Sequence, residues 1–303
     1  MARDWELMLA AWSKPQSDTE NEKRTRTERA ITDALNAVDE IRSLPIHVYA
    51  KGSYDNRTNV RLDSDVDINV EYTGIAYYDF TDGLQGTTGD EAGFQPVIRP
   101  YSPAQLKDDV ERALAATFTP SAVQRGNKAI TLREQNNRLA ADIVPCFTYY
   151  RYYGRGPGGR LLEHKGTKLF PDRGTPVINW PRQHYDNGVA KNAATGKRFK
   201  SLVRILKRLE NELVANTDAP AVPSYLIECL VYNVPNDAFG HSRLTDDLQA
   251  VLAHIWNNTR TGADCNDWVE VNGLKWLFYG SQPWTWQQAH AFADRAWNYV
   301  GFE

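Results

Sequence analysis

Cysteine is scarce in this chain: 303 residues contain three, Cys146, Cys229 and Cys265, with no Cys-x-x-Cys pair among them. An odd, unclustered set excludes a disulfide framework and a cysteine zinc site, and reads as buried thiols in a reducing compartment. Histidine is equally sparse, and none of the six has another three or four residues along, so no helical histidine metal site is written here. Long apolar runs are missing too. The longest, around Ser224 to Val234, falls well short of the roughly 18 residues that span a bilayer. The opening MARDWELMLAAW carries acids and does not read as a signal peptide. Excess positive charge is also absent. Thirty-five basic against 38 acidic residues give −3, which argues against a coat for duplex DNA or for an anionic membrane. A cytoplasmic, monomeric protein is expected.

What is present is an ordinary globular composition, 42% hydrophobic and 24% charged, in a chain long enough for two domains. The first half mixes helices and strands. Ser17 and Glu20 have capping-box spacing ahead of a stripe of Ile31, Ala34, Leu35, Val38 and Ile41. Ile46, Val48 and Ala50 alternate as a strand that stops at Gly52-Ser53, and a second strand is expected from Asp65 to Tyr72. Residues 74–95, rich in glycine and without a period, read as a mobile loop. Ser102-Pro103-Ala104-Gln105 opens a helix whose buried face is Leu106, Val110, Leu114 and Phe118. Strands follow at about 128–133 and 138–144, joined by a turn at Gln135-Asn136-Asn137. Tyr149 to Tyr153 reads as a half-buried strand rather than an RNA-stacking platform. Gly154 to Pro176, full of Gly, Pro and Arg, reads as a linker, and the remainder is helical. The expected fold class is α+β, with domains over 1–175 and 176–303.

The chemistry concentrates in residues 51–72. Along a strand, side chains alternate between faces, so Val66, Ile68 and Val70 point to a core while Asp65, Asp67 and Asn69 share the other side. Two carboxylates so placed repel unless a cation lies between them. Paired hard cations held by carboxylates are a known device for in-line attack on a phosphate. The Gly52-Ser53 turn adds backbone N–H groups that can approach a phosphate, and a hydroxyl donor. A lone Asp-x-Asp is more often a solvent-facing edge. The preceding Gly-Ser turn shifts that balance towards chemistry. Asp142, in Leu139-Ala140-Ala141-Asp142-Ile143-Val144, is a carboxylate in an apolar strand. It reads either as an outward edge residue or as a third ligand and base for the attacking hydroxyl.

The order strand, Gly-Ser, Asp-x-Asp and a third Asp on a later strand resembles the polymerase-β-type nucleotidyltransferases. GSYDNRTNVRLDSDVDINV is similar to the bacterial cGAS-like enzymes of CBASS defence, the CD-NTases, and to their CdnE branch. The likeness extends through Trp12-Ser13, Asn179-Trp180-Pro181…His184-Tyr185-Asp186-Asn187-Gly188 and Pro223-Ser224-Tyr225…Glu228-Cys229-Leu230. It implies a polymerase-β-like core, a mixed sheet with flanking helices, packed on a C-terminal helical domain that closes the nucleotide cleft. It assigns Mg²⁺ (two ions, with Mn²⁺ as a substitute) to Asp65, Asp67 and Asp142, and triphosphate contact to Gly52-Ser53.

From Lys191 to Arg208 there are seven basic residues and no acid, and Lys200, Arg204, Lys207 and Arg208 share one helical face. That face is either solvated or a seat for a triphosphate. The resemblance implies contact of Lys207, Ser224 and Tyr225 with the donor nucleotide; Lys200 and Arg204 are further candidates. It also implies that Asn179 accepts a pyrimidine, so that ATP and UTP are substrates, cyclic UMP-AMP is the product, and a separate CBASS effector reads it. Cyclic di-UMP and purine cyclic dinucleotides are the nearest alternatives. A catalytically silent nucleotide- or RNA-sensing module, and an RNA-tailing enzyme, are the other readings of the same fold.

Overall fold

The computed structural model describes residues 3–60, 65–95, 97, 101–135, 137–218, 220–280 and 282–303. Arg61 to Ser64, in the middle of the Gly-Ser to Asp-x-Asp motif, and Asn136 of the expected turn lie outside the described residues. By internal contacts the chain forms two units. A sheet unit comprises Ser17–Tyr54 and Asp65–Arg182. A helical unit comprises the N-terminal segment up to Gln16, the described residues from Asp55 to Val60, and Gln183–Glu303.

The sheet unit is a mixed sheet of seven described strands, in the order β1-β2-β5-β4-β3, with β6 on the far half of β5 and β7 beyond it. The strands are β1 (Ile46–Lys51), β2 (Val66–Phe80), β3 (Val123–Arg125), β4 (Ile130–Leu132), β5 (Ala141–Arg155), β6 (Leu161–Leu169) and β7 (Val177–Asn179). Only β2 and β5 run parallel among these pairs. Val66, Ile68 and Val70 are fully buried, as their alternation predicts. They pack with Ile143 and Phe147 against Ile31 and Leu35 of α2 (Asp18–Asn36) and against Leu106, Val110 and Leu114 of α5 (Pro103–Phe118). Both helices start where the sequence says they should. Ser17 Oγ accepts from Glu20 N, and Ser102 Oγ from Gln105 N. The stripe through Val38 and Ile41 is broken: α2 ends at Asn36, and α3 (Asp39–Arg42) is separate.

Two expectations fail here. The second strand does not stop at Tyr72. After a bulge between Tyr72 and Ala76, β2 continues beside β5 to Phe80, so 74–80 is strand and not loop. The rest of that loop is anchored, with Leu84 buried against Tyr152 and Leu161 and Phe94 stacked on Tyr78 at 4.3 Å. The expected linker 154–176 contains β6, which pairs along β5 from Phe147 to Arg155. Its polar, glycine-containing sequence hides a strand because pairing, and not an apolar face, holds it. Gly166 is needed there: a Cβ would sit 2.5 Å from Asn179 O and 2.6 Å from the Trp180 ring. The tyrosine run lies within β5, with Tyr149 and Tyr152 buried, as the strand reading requires.

The helical unit gathers α1 (Trp5–Trp12), α6 (Pro181–Ala194, apart from its first two residues), α7 (Arg198–Asn216), α8 (Ser224–Asn233), α9 (Leu244–Thr259) and α10 (Trp286–Val300). Phe199, Leu202, Val203, Leu206 and Leu213 of α7 enter one core with Leu226, Ile227 and Leu230 of α8 and Leu248, Val251 and Ile255 of α9. Thr285 and Gln288 complete a reciprocal capping box at α10. The unit division differs from the 1–175/176–303 boundary at both ends. Leu9 of α1 is buried in the helical core, whereas β7 is hydrogen-bonded to β6 and keeps 177–179 with the sheet. The basic stretch 191–208 is also not one helix, because Gly196 (φ 56°) and Lys197 (φ 69°) separate α6 from α7. All three cysteines are buried and unbonded. Among the described residues no helix is long and apolar enough to cross a membrane.

Candidate active site

Strand register explains the arrangement of the acids. Lys51 of β1 faces Asp67 of β2, Asp67 faces Asp142 of β5, and Asp142 faces Thr131 of β4. Paired residues on neighbouring strands project to the same side, with backbones about 4.8 Å apart. One row, Lys51–Asp67–Asp142–Thr131, therefore runs across four strands. The two flanking rows, Val66 with Ala141 and Ile68 with Ile143, are buried in the core on the other side. Asp65, just ahead of β2, is exposed; Asp67 and Asp142 are half-buried.

This row is electrostatically uncomfortable. Burial raises Asp67 above the usual aspartate range; Lys51 opposes this, and the charges of Asp142 and Asp65 add to it. Asp65 is raised by burial and then by Asp142 and Glu134. Gly52 closes tightly on the row. It has φ +72°, and a Cβ there would collide with Asp67 Oδ2. Glycine is thus required twice, by conformation and by space. Ser53 follows, half-buried, in the short helix α4 (Gly52–Asp55). Asp142 Oδ1 accepts a hydrogen bond from Thr131 Oγ1 at 2.7 Å. Among the described residues no three His, Cys, Asp or Glu side chains converge as a set that could hold a metal ion. The donor chemistry nevertheless fits a hard divalent cation: the three acids offer oxygen ligands, crowded together, with Lys51 opposing their charge at Asp67.

Asn179 ends β7, opposite Thr167 and half-buried. The remaining expected residues belong to the helical unit, and here the outcome differs. Lys200, Arg204 and Lys207 are all buried, so the solvated-face reading of these three does not hold. Arg204 spends its guanidinium on backbone: Nε donates to Ser13 O at 2.8 Å and Nη1 to Arg57 O at 2.6 Å. That is a structural anchor, because the donors a phosphate would need are already used. Lys200 lies 5.8 Å from the Tyr185 ring centroid, its pKa lowered by burial.

Lys207, 4% exposed, donates to Glu228 Oε2 at 3.1 Å. Glu228, 2% exposed, also accepts from Thr58 Oγ1 at 2.7 Å and lies 2.8 Å from His184 Nε2. Burial alone would raise this carboxyl, but Lys207, then His184 and Thr58, outweigh it and hold it well below the usual range. Ser224 is exposed as the first residue of α8. Tyr225 next to it donates its hydroxyl to Glu270 Oε2 at 2.9 Å, and its ring centroid is 6.0 Å from Trp284. Burial pushes that phenol well above its ordinary pKa.

Sequence reasoning assigned no charge-balancing role to Glu228, nor any role to Lys51 or Thr131. Glu228 carried a usable signal, a single carboxylate in Leu226-Ile227-Glu228-Cys229-Leu230-Val231, the same argument that marks Asp142. Lys51 and Thr131 carried none, since only register brings them to the acids.

Residues 186–301 match the C-terminal helical domain of cGAS/DncV-like nucleotidyltransferases. The cyclic dipyrimidine nucleotide synthase CdnE of Legionella pneumophila is 38% identical over 303 residues, 99% of each chain. The structure of Elizabethkingia meningoseptica CdnE cyclic dinucleotide synthase with GTP and Apcpp superposes with a TM-score of 0.80 at 36% identity, covering 98% of this chain and 99% of that one. Rhodothermus marinus CdnE c-UMP-AMP synthase with Apcpp and Upnpp gives a TM-score of 0.81 at 29% identity, covering 98% and 97%. The mixed sheet and helical domain are those of a polymerase-β-like nucleotidyltransferase. The chain belongs to the CD-NTase family, in its CdnE branch of cyclic nucleotide synthases.

Proposed function

We propose that this enzyme joins UTP and ATP into cyclic UMP-AMP in the cytoplasm, as a monomer, and that a separate CBASS effector reads the product in defence against phage. In each of two steps a ribose hydroxyl oxygen bonds to an α-phosphorus, the bond to the β-phosphate breaks, and pyrophosphate leaves. The hydroxyl proton passes to Asp142, whose Oδ1 is steadied by Thr131. Asp65, Asp67 and Asp142 are the proposed ligands for magnesium, with manganese as a substitute. Held by these carboxylates, such an ion would neutralise charge on the triphosphate and would lower the pKa of the attacking hydroxyl.

Ser53 and the Gly52 backbone donate to the triphosphate. Ser224 and the exposed start of α8 receive the donor nucleotide, and the Tyr225 ring supports its base. Lys207, with one of its three N–H donors given to Glu228, is proposed to offer the others to phosphate. Asn179, whose amide carries one donor group and one acceptor, pairs with O4 and N3–H of uracil. The observation that carries the catalytic reading is the Lys51–Asp67–Asp142–Thr131 row with Gly52 pressed against Asp67.

The product assignment rests on Asn179 and not on overall likeness. The Legionella relative at 38% identity is a dipyrimidine synthase, while one from Elizabethkingia meningoseptica at 37% is a dipurine synthase. The test is incubation of purified enzyme with all four NTPs and Mg²⁺, then phosphatase and mass analysis. A phosphatase-resistant product with the mass of cyclic UMP-AMP is expected. A resistant product without uridine removes the Asn179 assignment, and a ladder or no turnover removes cyclisation altogether.

A further inference from the structure

Arg138 stands outside the machinery described above and is unusual in its own right. It lies at the foot of the β4–β5 connection, where its N–H donates to Gln135 O at 2.8 Å and its carbonyl accepts from Gln135 N at 3.1 Å. The residue is 6% exposed, and its guanidinium carbon sits 4.7 Å from the Phe118 ring centroid. Nη1 and Nη2 are buried and have no hydrogen-bond partner among the described residues. A planar cation resting on an aromatic face keeps its N–H edge for another group. Leaving that edge unpaired and dry is costly for a charged group. Burial already pulls the guanidinium below its ordinary pKa.

Next to it is an open cavity of about 670 Å³ lined by Arg26, Ala30, Glu134, Gln135, Asn137 and Arg138. The size suits a small ligand. Two arginines and two side-chain amides outweigh the one carboxylate, Glu134. Among the described residues Arg26 pairs with Glu22 at 3.0 Å, an exposed pair that contributes little and can be redirected. We infer that this cavity is an oxyanion site, in which Arg138 forks onto a phosphate group of a small ligand and Arg26 closes over it. None of its lining residues is among those assigned to catalysis, and Glu134, whose charge also acts on Asp65, is the one it has in common with the surroundings of the acid row. The shared chemistry is a phosphate oxyanion, and its source is either free pyrophosphate or the phosphate of a mononucleotide.

The full-length protein in metal-free buffer with EDTA is titrated with inorganic pyrophosphate, with AMP, and with a single-stranded RNA oligonucleotide, following the unfolding midpoint. Pyrophosphate or AMP should raise it by about 3 °C or more at saturation, and whichever does so names the source. Asp65→Ala/Asp67→Ala should keep the shift. Arg138→Met should lose it, while its ligand-free midpoint equals or exceeds that of the wild type. Arg138→Lys, which keeps the charge without the fork, should cut the shift by at least half, and it decides the matter should Arg138→Met not fold. A shift that survives in Arg138→Lys, the absence of any shift with both small ligands, or a response to RNA alone would overturn the inference.

Discussion

Two sites, one in each unit, treat buried charge in opposite ways. In the sheet unit, Asp65, Asp67 and Asp142 are crowded on one side with Lys51 as the opposing cation, and burial and mutual repulsion push Asp65 and Asp67 upward. In the helical unit, Glu228 is more deeply buried, yet Lys207, His184 and Thr58 compensate it and its pKa goes down. Charge that a fold leaves uncompensated is held for something that binds later, whereas charge it fully compensates is part of the framework. By that criterion the acid row is the chemical part of the molecule. The Lys207–Glu228 pair and Arg204 are first of all internal struts, whatever further contact Lys207 makes.

The most severe way to break the comparison is to remove the repelling acids. Asp65→Ala/Asp67→Ala should reduce NTP turnover about a thousandfold or more, while thermal unfolding shows stability equal to or above wild type. Retained turnover in the folded variant would end the metal-site argument. The pH dependence follows from the same repulsion. The folded-state pKa of Asp67 is raised, so its contribution to stability is present below about pH 4 and is lost as pH rises through the raised value. Asp67→Asn should flatten that part of the profile in denaturant titrations at successive pH values.

Glu228→Ala tests the other side. It strands Lys207 as a buried cation, and breaking a buried pair costs about 3–5 kcal/mol. Urea unfolding should register a loss of that order, against none for Asp67→Asn. Because the folded-state pKa of Glu228 is lowered, its contribution is complete above about pH 4 and disappears only as pH falls through the lowered value. A Glu228→Ala protein as stable as wild type would mean that the pair is not a strut.

Gly52→Ala joins the two measurements. An alanine at φ +72° costs about 1–2 kcal/mol, and its Cβ cannot coexist with Asp67 Oδ2 in the present geometry. Activity should therefore fall further than stability, by roughly a hundredfold if Asp67 is displaced by about 1 Å. A variant that loses only stability would show that the carboxylate has room to move.

Legibility in the sequence followed the same division between pattern and pairing. Period-2 alternation exposed Val66, Ile68 and Val70, and helical stripes exposed the cores of α5, α7, α8 and α9, because each element carries its own burial signal. What failed was whatever depends on a neighbour. The extension of β2 to Phe80 and the existence of β6 come from hydrogen bonding to β5, a strand distant in sequence. Asp142 was visible because a carboxylate in an apolar strand is anomalous by itself, and Asp65 and Asp67 because two carboxylates share one strand face just after a Gly-Ser turn. Lys51 and Thr131 were not, since lysine at a strand end and threonine in a strand are unremarkable until register aligns them. The basic face of α7 was only partly legible for a related reason. Spacing showed that Lys200, Arg204 and Lys207 share a side, but only the fold shows that Ser13, Arg57 and Glu228 are waiting for two of them.

The smallest expected effect concerns which base is accepted, and it probes a position that neither rule about charge reaches. Asn179 is neutral, half-buried, and fixed by backbone pairing to Thr167. The strand is packed so closely that Gly166 cannot carry a side chain without striking Asn179 O. The backbone of residue 179 is thereby held, while the length and polarity of its side chain remain free to vary. Asn179→Ser should accordingly leave folding unchanged and total turnover within a few-fold of wild type. It withdraws the amide that matches O4 and N3–H of uracil and opens space for a larger base. A site that loses a hydrogen-bonding group loses selectivity for the substrate that used it. Competition between labelled UTP and ATP or GTP should show incorporation moving from uridine towards purines by about tenfold, the equivalent of ~1.4 kcal/mol. An unmoved ratio would transfer the choice of base to another residue and leave the acid row untouched.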